Sequence, residues 1–236
     1  MRKRKLSQKF TSHLSAERKG AEFIIGIDEV GRGALAGPVT VAAVLLPQKF
    51  QIPNIKYQIN SKYQKSNFKI KLKDSKKLSA KHREEWFKWI KQYSNILKNV
   101  RMFYAIANVS PKIIDKINVS QAANLAATRA VKALTINNKQ LTFNNYKIYL
   151  DGGLHLNKVN CKLLNVKCII RGDEKIPAIS LASIVAKVHR DKLMKRLHKK
   201  YPRYNFINNV GYGTKKHIKA LRKFGRTPIH RKSFKF

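Results

Sequence analysis

The chain has 236 residues, 43% of them hydrophobic, and 51 Lys or Arg stand against 12 Asp or Glu for a formal net charge of +39. That composition supplies a buried core, argues for one compact domain, and makes a polyanion, nucleic acid first, the partner to consider, although lysine-coated faces also occur without a ligand. The basic start Met1-Arg2-Lys3-Arg4-Lys5 leads into no apolar signal region, and the longest apolar run, Val39 to Leu46, is too short to cross a membrane, so a soluble, cytoplasmic protein without a membrane partner is expected.

Residues 1–22 read as a basic N-terminal extension, and the core begins at Phe23. Phe23–Ile27 and Val39–Leu46 read as buried strands joined by a Gly-rich turn, followed by a Lys/Asn-rich stretch at 51–73 that reads as an insertion. Ser79 is placed to cap a helix running to about Leu97, whose stripe of Trp86, Trp89, Ile90 and Tyr93 belongs to the core. Val100 to Val109 predicts a third strand, and Val119 to Leu134 an alanine-rich helix packed closely on the sheet. Strands at Tyr146–Leu150 and Val166–Ile170 precede a long helix from Pro177 to Lys200, and Thr214 caps a last one to about Phe224. Five strands with interspersed helices make an α/β domain. The only cysteines, Cys161 and Cys168, match no zinc spacing, even with His155 nearby, and read as reduced structural thiols.

Four scarce carboxylates fall where strands give way to turns: Asp28 and Glu29 after the first strand, Asp151 after the fourth, Asp173 after the fifth. Such strand ends converge across a sheet, and clustered anions call for a cation. Oxygen ligands suit Mg²⁺ or Mn²⁺ better than zinc, and two such ions would suit phosphodiester hydrolysis. The plainer alternative is that each acid caps a turn. Asp74, Asp115 and Asp191 read as caps or ion-pair partners, with Asp191 near enough in sequence to Asp173 to meet the same cleft.

These acids lie in ordered blocks: Gly26 to Val39, Asp74-Ser75-Lys76-Lys77-Leu78-Ser79, Ile114 to Asn118, Asp151-Gly152, Gly172-Asp173-Glu174-Lys175, Ala182 to Asp191, Gly211 to His217 and Pro228 to Phe234. From about residue 23 to the C-terminus the sequence resembles ribonuclease HII, the type 2 ribonuclease H family. The resemblance implies a ribonuclease H-like mixed sheet flanked by helices, with a helical C-terminal region. It implies Mg²⁺- or Mn²⁺-dependent hydrolysis of RNA in RNA–DNA hybrids, and incision of duplex DNA at single embedded ribonucleotides, leaving a 3′-hydroxyl and a 5′-phosphate. Asp28, Glu29, Asp151 and Asp173 match the family's acidic catalytic and metal-binding residues.

The same resemblance makes Gly31, Arg32 and Gly33 the turn that reads the ribose 2′-hydroxyl, which glycine permits by letting the backbone approach closely. Tyr212 matches a tyrosine that packs on the neighbouring deoxyribose, and Ser183 is implied in substrate binding. Lys76, Lys77, Lys187 and Lys215 are placed to meet phosphates, contacts that position a duplex without reading its sequence. From Lys187 to Phe236 there are 17 Lys or Arg and a single acid. A ribonuclease HIII-like enzyme is the near alternative, although 22 residues are too few for the separate N-terminal domain usual there. A non-catalytic basic nucleic-acid-binding protein is the other, and it leaves the grouped acids unexplained. A monomer is expected, with a sliding clamp as a candidate protein contact.

Overall fold

The computed structural model describes residues 23–48, 72, 75–96, 102–136, 145–156 and 165–236. The predicted basic extension at 1–22, nearly all of the predicted insertion at 51–73, Asp74 and Cys161 lie outside the described residues. Strands β1 (Phe23–Val30), β2 (Val39–Pro47), β3 (Phe103–Val109), β4 (Tyr146–Asp151) and β5 (Asn165–Ile169) form one sheet in the order β3-β2-β1-β4-β5. β1 pairs antiparallel with β2 and β2 with β3, while β4 lies parallel to β1 and β5 parallel to β4. The helices are α1 (Ala80–Ile96), α2 (Pro111–Ile136), α3 (Gly172–Lys175), α4 (Pro177–Lys200), α5 (Phe206–Asn209) and α6 (Lys215–Phe224).

The two-residue period of β2 divides the core between both faces of the sheet. Val39, Val41, Ala43 and Leu45 pack with Ala122, Ala123, Ala126 and Ala127 of α2, whereas Ala42, Val44 and Leu46 pack with Leu181, Ile184 and Val185 of α4 and with Trp86 and Trp89 of α1. β1 alternates in the same way, with Ile25 and Ile27 toward α2 and Ile24 toward α4. Gly26 therefore faces α4, and a Cβ there would stand 2.1 Å from the carbonyl carbon of Ala178 and 2.3 Å from the nitrogen of Ile179. Helix and strand touch at backbone distance at this point. Asp28, two residues on, is carried to the same helix.

Ser79 and Thr214 cap as the sequence predicts: Ser79 Oγ accepts from His82 N–H at 3.1 Å and Thr214 Oγ1 from His217 N–H at 3.3 Å. The alanine-rich helix predicted from Val119 is present as the second part of α2, and a first part beginning at Pro111, absent from the sequence reading, precedes it. A non-helical Asn118 (φ 63°, ψ 166°) interrupts the run, and its Oδ1 accepts from Gln121 N–H at 3.0 Å, capping the second part. The first part is only about two turns long, with Ile113, Ile114 and Ile117 as its apolar residues.

The C-terminal region wraps the β1–β2 connection. Leu35 and Ala36 pack with Met194, Tyr204, Phe206 and Leu221. Leu35 N–H donates to Gly211 O at 2.8 Å, Gly37 N–H to Ile229 O at 2.8 Å, and Arg231 N–H to Leu35 O at 2.8 Å. The tail is pinned by Asp115, whose carboxylate accepts from the N–H groups of Lys232 (3.0 Å) and Ser233 (2.9 Å) and from Ser233 Oγ (2.6 Å). Asp115 thus does the partnering work expected of it, on a tail far away in sequence.

Beneath Tyr212 two histidines form a chain whose protons are assigned by its ends. Thr227 N–H donates to His230 Nδ1 at 2.9 Å, so His230 carries its proton on Nε2, 3.1 Å from His217 Nε2. His217 Nδ1–H then donates to Tyr212 O at 2.9 Å. Both rings are neutral in this arrangement, and burial pushes His217 down and His230 down to about 4, with the charge of a protonated His217 adding to the latter. An unfolded histidine takes up its proton near pH 6.5, so the unfolded state binds more protons between about 6.5 and 4, and stability falls as pH falls through that window. His230 should contribute a loss on the order of 3 kcal/mol across it. The thermal midpoint should be insensitive to this pair above about pH 7 and drop below it, and an identical acid slope in His230→Asn would refute the assignment.

Candidate active site

The register of β1 with β4 ends at Ile27 opposite Leu150. Asp28 and Asp151 therefore leave neighbouring parallel strands side by side at their carboxyl ends, where ligand sites of open α/β sheets gather. Asp28 is 5% exposed. Its Oδ1 accepts from Glu29 N–H at 2.7 Å, and the Ser183 hydroxyl of α4 hydrogen-bonds to its carboxyl. Burial pushes Asp28 well above the usual carboxylate range, and the neighbouring charges of Glu29 and Asp151 push it further.

Glu29 turns the other way. Its Oε1 accepts from Arg32 Nη1 at 3.2 Å, and Arg32 also reaches Ser120 Oγ at 3.4 Å and Gly153 O at 3.5 Å. Burial raises the Glu29 carboxyl, the Arg32 guanidinium opposes that rise, and Asp151 adds to it. Asp151 Oδ1 accepts from Gly172 N–H at 2.7 Å, which ties the end of β4 to the start of α3. Arg171 turns the chain there with a left-handed φ of 56°, so Asp173 stands inside a short helix rather than on the strand-end turn the sequence suggests. Asp173 is buried and lies 3.5 Å from Lys76 Nζ.

The donor set suits a hard divalent cation. Glu29 Oε2 is buried and, among the described residues, has no hydrogen-bond partner, and the charge of Asp151 adds to the cost of ionising both Asp28 and Glu29. Among the described residues, however, no three Asp, Glu, His or Cys side chains close on one point to form a finished cage. Arg32, Gly172 N–H and Lys76 each hold one acid toward a protein partner. Binding an ion requires side-chain rotation against those contacts.

The predicted substrate residues fall into two groups. Gly33 and Tyr212 lie together, since a Cβ on Gly33 would be 4.0 Å from Tyr212 Cε1, Ala34 bridges to Tyr212, and the Tyr212 side chain is 37% exposed. Lys215 opens α6 on the surface. By contrast, Lys77 pairs with Glu174 at 3.2 Å, and Lys187 pairs with Asp191 at 3.0 Å. Asp191 is also 3.9 Å from Arg83, which answers the expectation of an ion-pair role. Ser183 is 6% exposed, with its hydroxyl 2.7 Å from Ser75 Oγ and bonded to Asp28, so it serves the carboxylate rather than an open surface.

Sequence reasoning passed over Ser75, Ser120, Arg190 and Arg231. Arg190 had a readable signal: Ser183, Ala186, Arg190 and Met194 recur at helical spacing on the buried face of α4. Cys168 is a free, exposed thiol beside the site, with Sγ 3.7 Å from Asp151 O. No described helix is long and apolar enough to cross a membrane.

Comparison with known proteins matches residues 25–236 to the family model described as Ribonuclease HII. Proteins named Ribonuclease HII from Oceanobacillus iheyensis and Chlorobium chlorochromatii are 39% and 41% identical over 228 and 214 residues, covering 95% and 91% of this chain and 72% and 90% of theirs. The fold resembles the ribonuclease H2 of Pyrococcus horikoshii (TM-score 0.60, 24% identity, covering 90% of this chain and 93% of that one). It also resembles the RNase HII solved in a PCNA complex from Archaeoglobus fulgidus (TM-score 0.62, 21% identity, covering 91% and 96%). A more distant likeness is to the Bst-RNase HIII described in complex with Mn²⁺ (TM-score 0.56, 17% identity, covering 94% and 70%). With the family model spanning nearly all of the described chain and relatives near 40% identity over most of their length, this chain belongs to the ribonuclease HII family.

Proposed function

We propose that this ribonuclease H cuts RNA in RNA–DNA hybrids at the acids of β1 and β4, and that it also incises duplex DNA on the 5′ side of a single ribonucleotide. The observation that carries the reading is the juxtaposition at the end of β1: the buried carboxyl of Asp28, its ionisation opposed by the charges of Glu29 and Asp151, adjoins a Gly-rich turn whose Gly33 is exposed, with the exposed Tyr212 beside it. Asp28, Glu29 and Asp151 would hold a divalent cation, with Asp173 adjoining. Mg²⁺ or Mn²⁺ would supply water activation and neutralise charge developing on the scissile phosphate, leaving a 3′-hydroxyl and a 5′-phosphate.

In this reading the chain's own groups orient and select. The Ser183 hydroxyl and Glu29 N–H aim the Asp28 carboxyl and offset part of the cost of ionising it, and Arg32 holds one oxygen of Glu29 while leaving the other open. Gly31, Arg32 and Gly33 meet the ribose, and Tyr212 packs on the next sugar. Lys215 meets phosphate directly, whereas Lys76, Lys77 and Lys187 do so by exchanging their acid partners for it. We take the protein as a cytoplasmic monomer. A sliding-clamp contact is included because the A. fulgidus neighbour is described with PCNA.

A labelled DNA duplex carrying one ribonucleotide tests the reading, with Mg²⁺, Mn²⁺ or EDTA and beside an all-DNA control. Incision 5′ of the ribonucleotide in either metal, with none in EDTA or in the control, is expected. Binding without incision would overturn the single-ribonucleotide part.

A further inference from the structure

Two buried arginines lie behind the turn that precedes β2. Arg231 is 1% exposed and spends its guanidinium on three backbone carbonyls of one loop: Gly31 O, Arg32 O at 2.6 Å and Gly37 O at 3.1 Å. Arg190 is fully buried and donates to Pro38 O, Ala36 O at 3.0 Å and Val210 O at 3.2 Å. Among the described residues neither makes an ion pair, and Arg190 Nε has no acceptor. Burial lowers both guanidinium groups, Arg231 to about 9, and the charge of Arg190 pushes Arg231 further down. Two like charges buried without a carboxylate in contact are a costly way to gain stability, so the arrangement calls for another explanation.

Peptide geometry supplies it. In a trans peptide the carbonyl and the following N–H point in opposite directions, and the described backbone contains no cis bond. With Gly31 O and Arg32 O turned inward onto Arg231, the N–H groups of Arg32 and Gly33 are turned outward, on the side where Gly33 is exposed. Gly31 is required for this: its φ is +89°, and a Cβ would stand 2.6 Å from Nε and Cζ of Arg190. Arg190 ties the same loop to Val210, a β-branched residue held at φ 49°, a conformation such a residue rarely adopts. Two residues later comes Tyr212. The carbonyls are thus captured from behind, two successive donors are presented in front, and the tyrosine is set at a defined distance from them.

We propose that Arg231 and Arg190 are positioning residues for sugar selection: their hold on the Gly31–Pro38 carbonyls aims the Arg32 and Gly33 N–H groups at an acceptor oxygen of the substrate, the ribose 2′-hydroxyl. This rests on the reading that the turn senses that hydroxyl, and the test separates the two. The probes are duplexes carrying either one ribonucleotide or one 2′-fluoro-2′-deoxynucleotide at the same position, compared for wild type, Arg231→Lys and Arg190→Lys. Equal cutting of both probes by the wild type would end the turn reading itself.

If the wild type discriminates, Arg231→Lys, which keeps the charge but loses the planar fork, should lower the ribose-to-fluoro rate ratio about tenfold, the worth of one or two hydrogen bonds. Mn²⁺ affinity measured by calorimetry should stay within about twofold. A merely structural role predicts a lower melting point with both probes slowed in parallel, and that result would overturn the proposal. Amide and guanidinium exchange in the wild type provides a check that needs no folded variant. The Nη protons of both arginines should exchange slowly with solvent, and fast exchange of both would also overturn it.

Discussion

Asp28→Asn is expected to abolish cleavage, by about a thousandfold or more, while leaving hybrid binding within a fewfold of wild type. The asparagine keeps an Oδ1 to accept from Glu29 N–H, so the local backbone is retained, but the charge that a divalent cation needs is gone. The same substitution should raise the melting point of the metal-free protein. Asp28 ionises at a cost, because burial and the charges of Glu29 and Asp151 disfavour its carboxylate, and the neutral amide removes that cost. Loss of activity with gained stability is the signature of a charge kept for function. Substantial cleavage by the variant in Mg²⁺ or Mn²⁺ would show that the acids at this strand end are not the cutting site. A lower melting point would show that the buried carboxylate is structural.

Gly26→Ala should destabilise the fold severely, by about 3 kcal/mol or more, although it adds one methyl group. The added Cβ would lie 2.1 to 2.5 Å from three backbone atoms of Ala178 and Ile179, so no side-chain rotation relieves the clash and α4 must move away from β1. Ser183 rides on that helix, so Asp28 would lose its hydroxyl partner as the helix shifts. Denaturant titration measures the loss. Gly33→Ala is the contrast, since the nearest atom to its new Cβ is Tyr212 Cε1 at 4.0 Å. That variant should fold with nearly wild-type stability and lose activity instead, because the methyl group stands in the space between turn and tyrosine. Equal stability of the two variants would refute the close helix–strand contact.

The two substitutions divide the fold along the line between what was legible in the residues and what was not. Strand and helix positions followed from local patterns. β2 alternates between two core faces, Ser79 and Thr214 sit as caps, and the long helix begins at Pro177 and ends at Lys200 as its apolar spacing implies. The candidate acids were also legible, because in a chain of 51 cations a carboxylate at the end of an apolar strand stands out. The first part of α2, beginning at Pro111, was not legible: Asn118, with its positive φ, cuts this short run off from the alanine-rich part whose pattern the reading follows.

Burial and pairing belonged to the tertiary structure alone. Sequence shows that Lys76, Lys77 and Lys187 are basic, but whether a lysine faces solvent or an acid depends on which elements pack beside it, and here these three meet Asp173, Glu174 and Asp191. Arg190 and Arg231 lie far from the Gly31–Pro38 loop along the chain, and although helical spacing puts Arg190 on the buried face of α4, nothing local says which carbonyls either guanidinium will meet. Local propensity acts over a few residues and determined the elements and the acids at their ends. The capture of one loop's carbonyls by two distant guanidinium groups is a long-range contact, which exists only once α4 and the C-terminal tail have closed over the sheet.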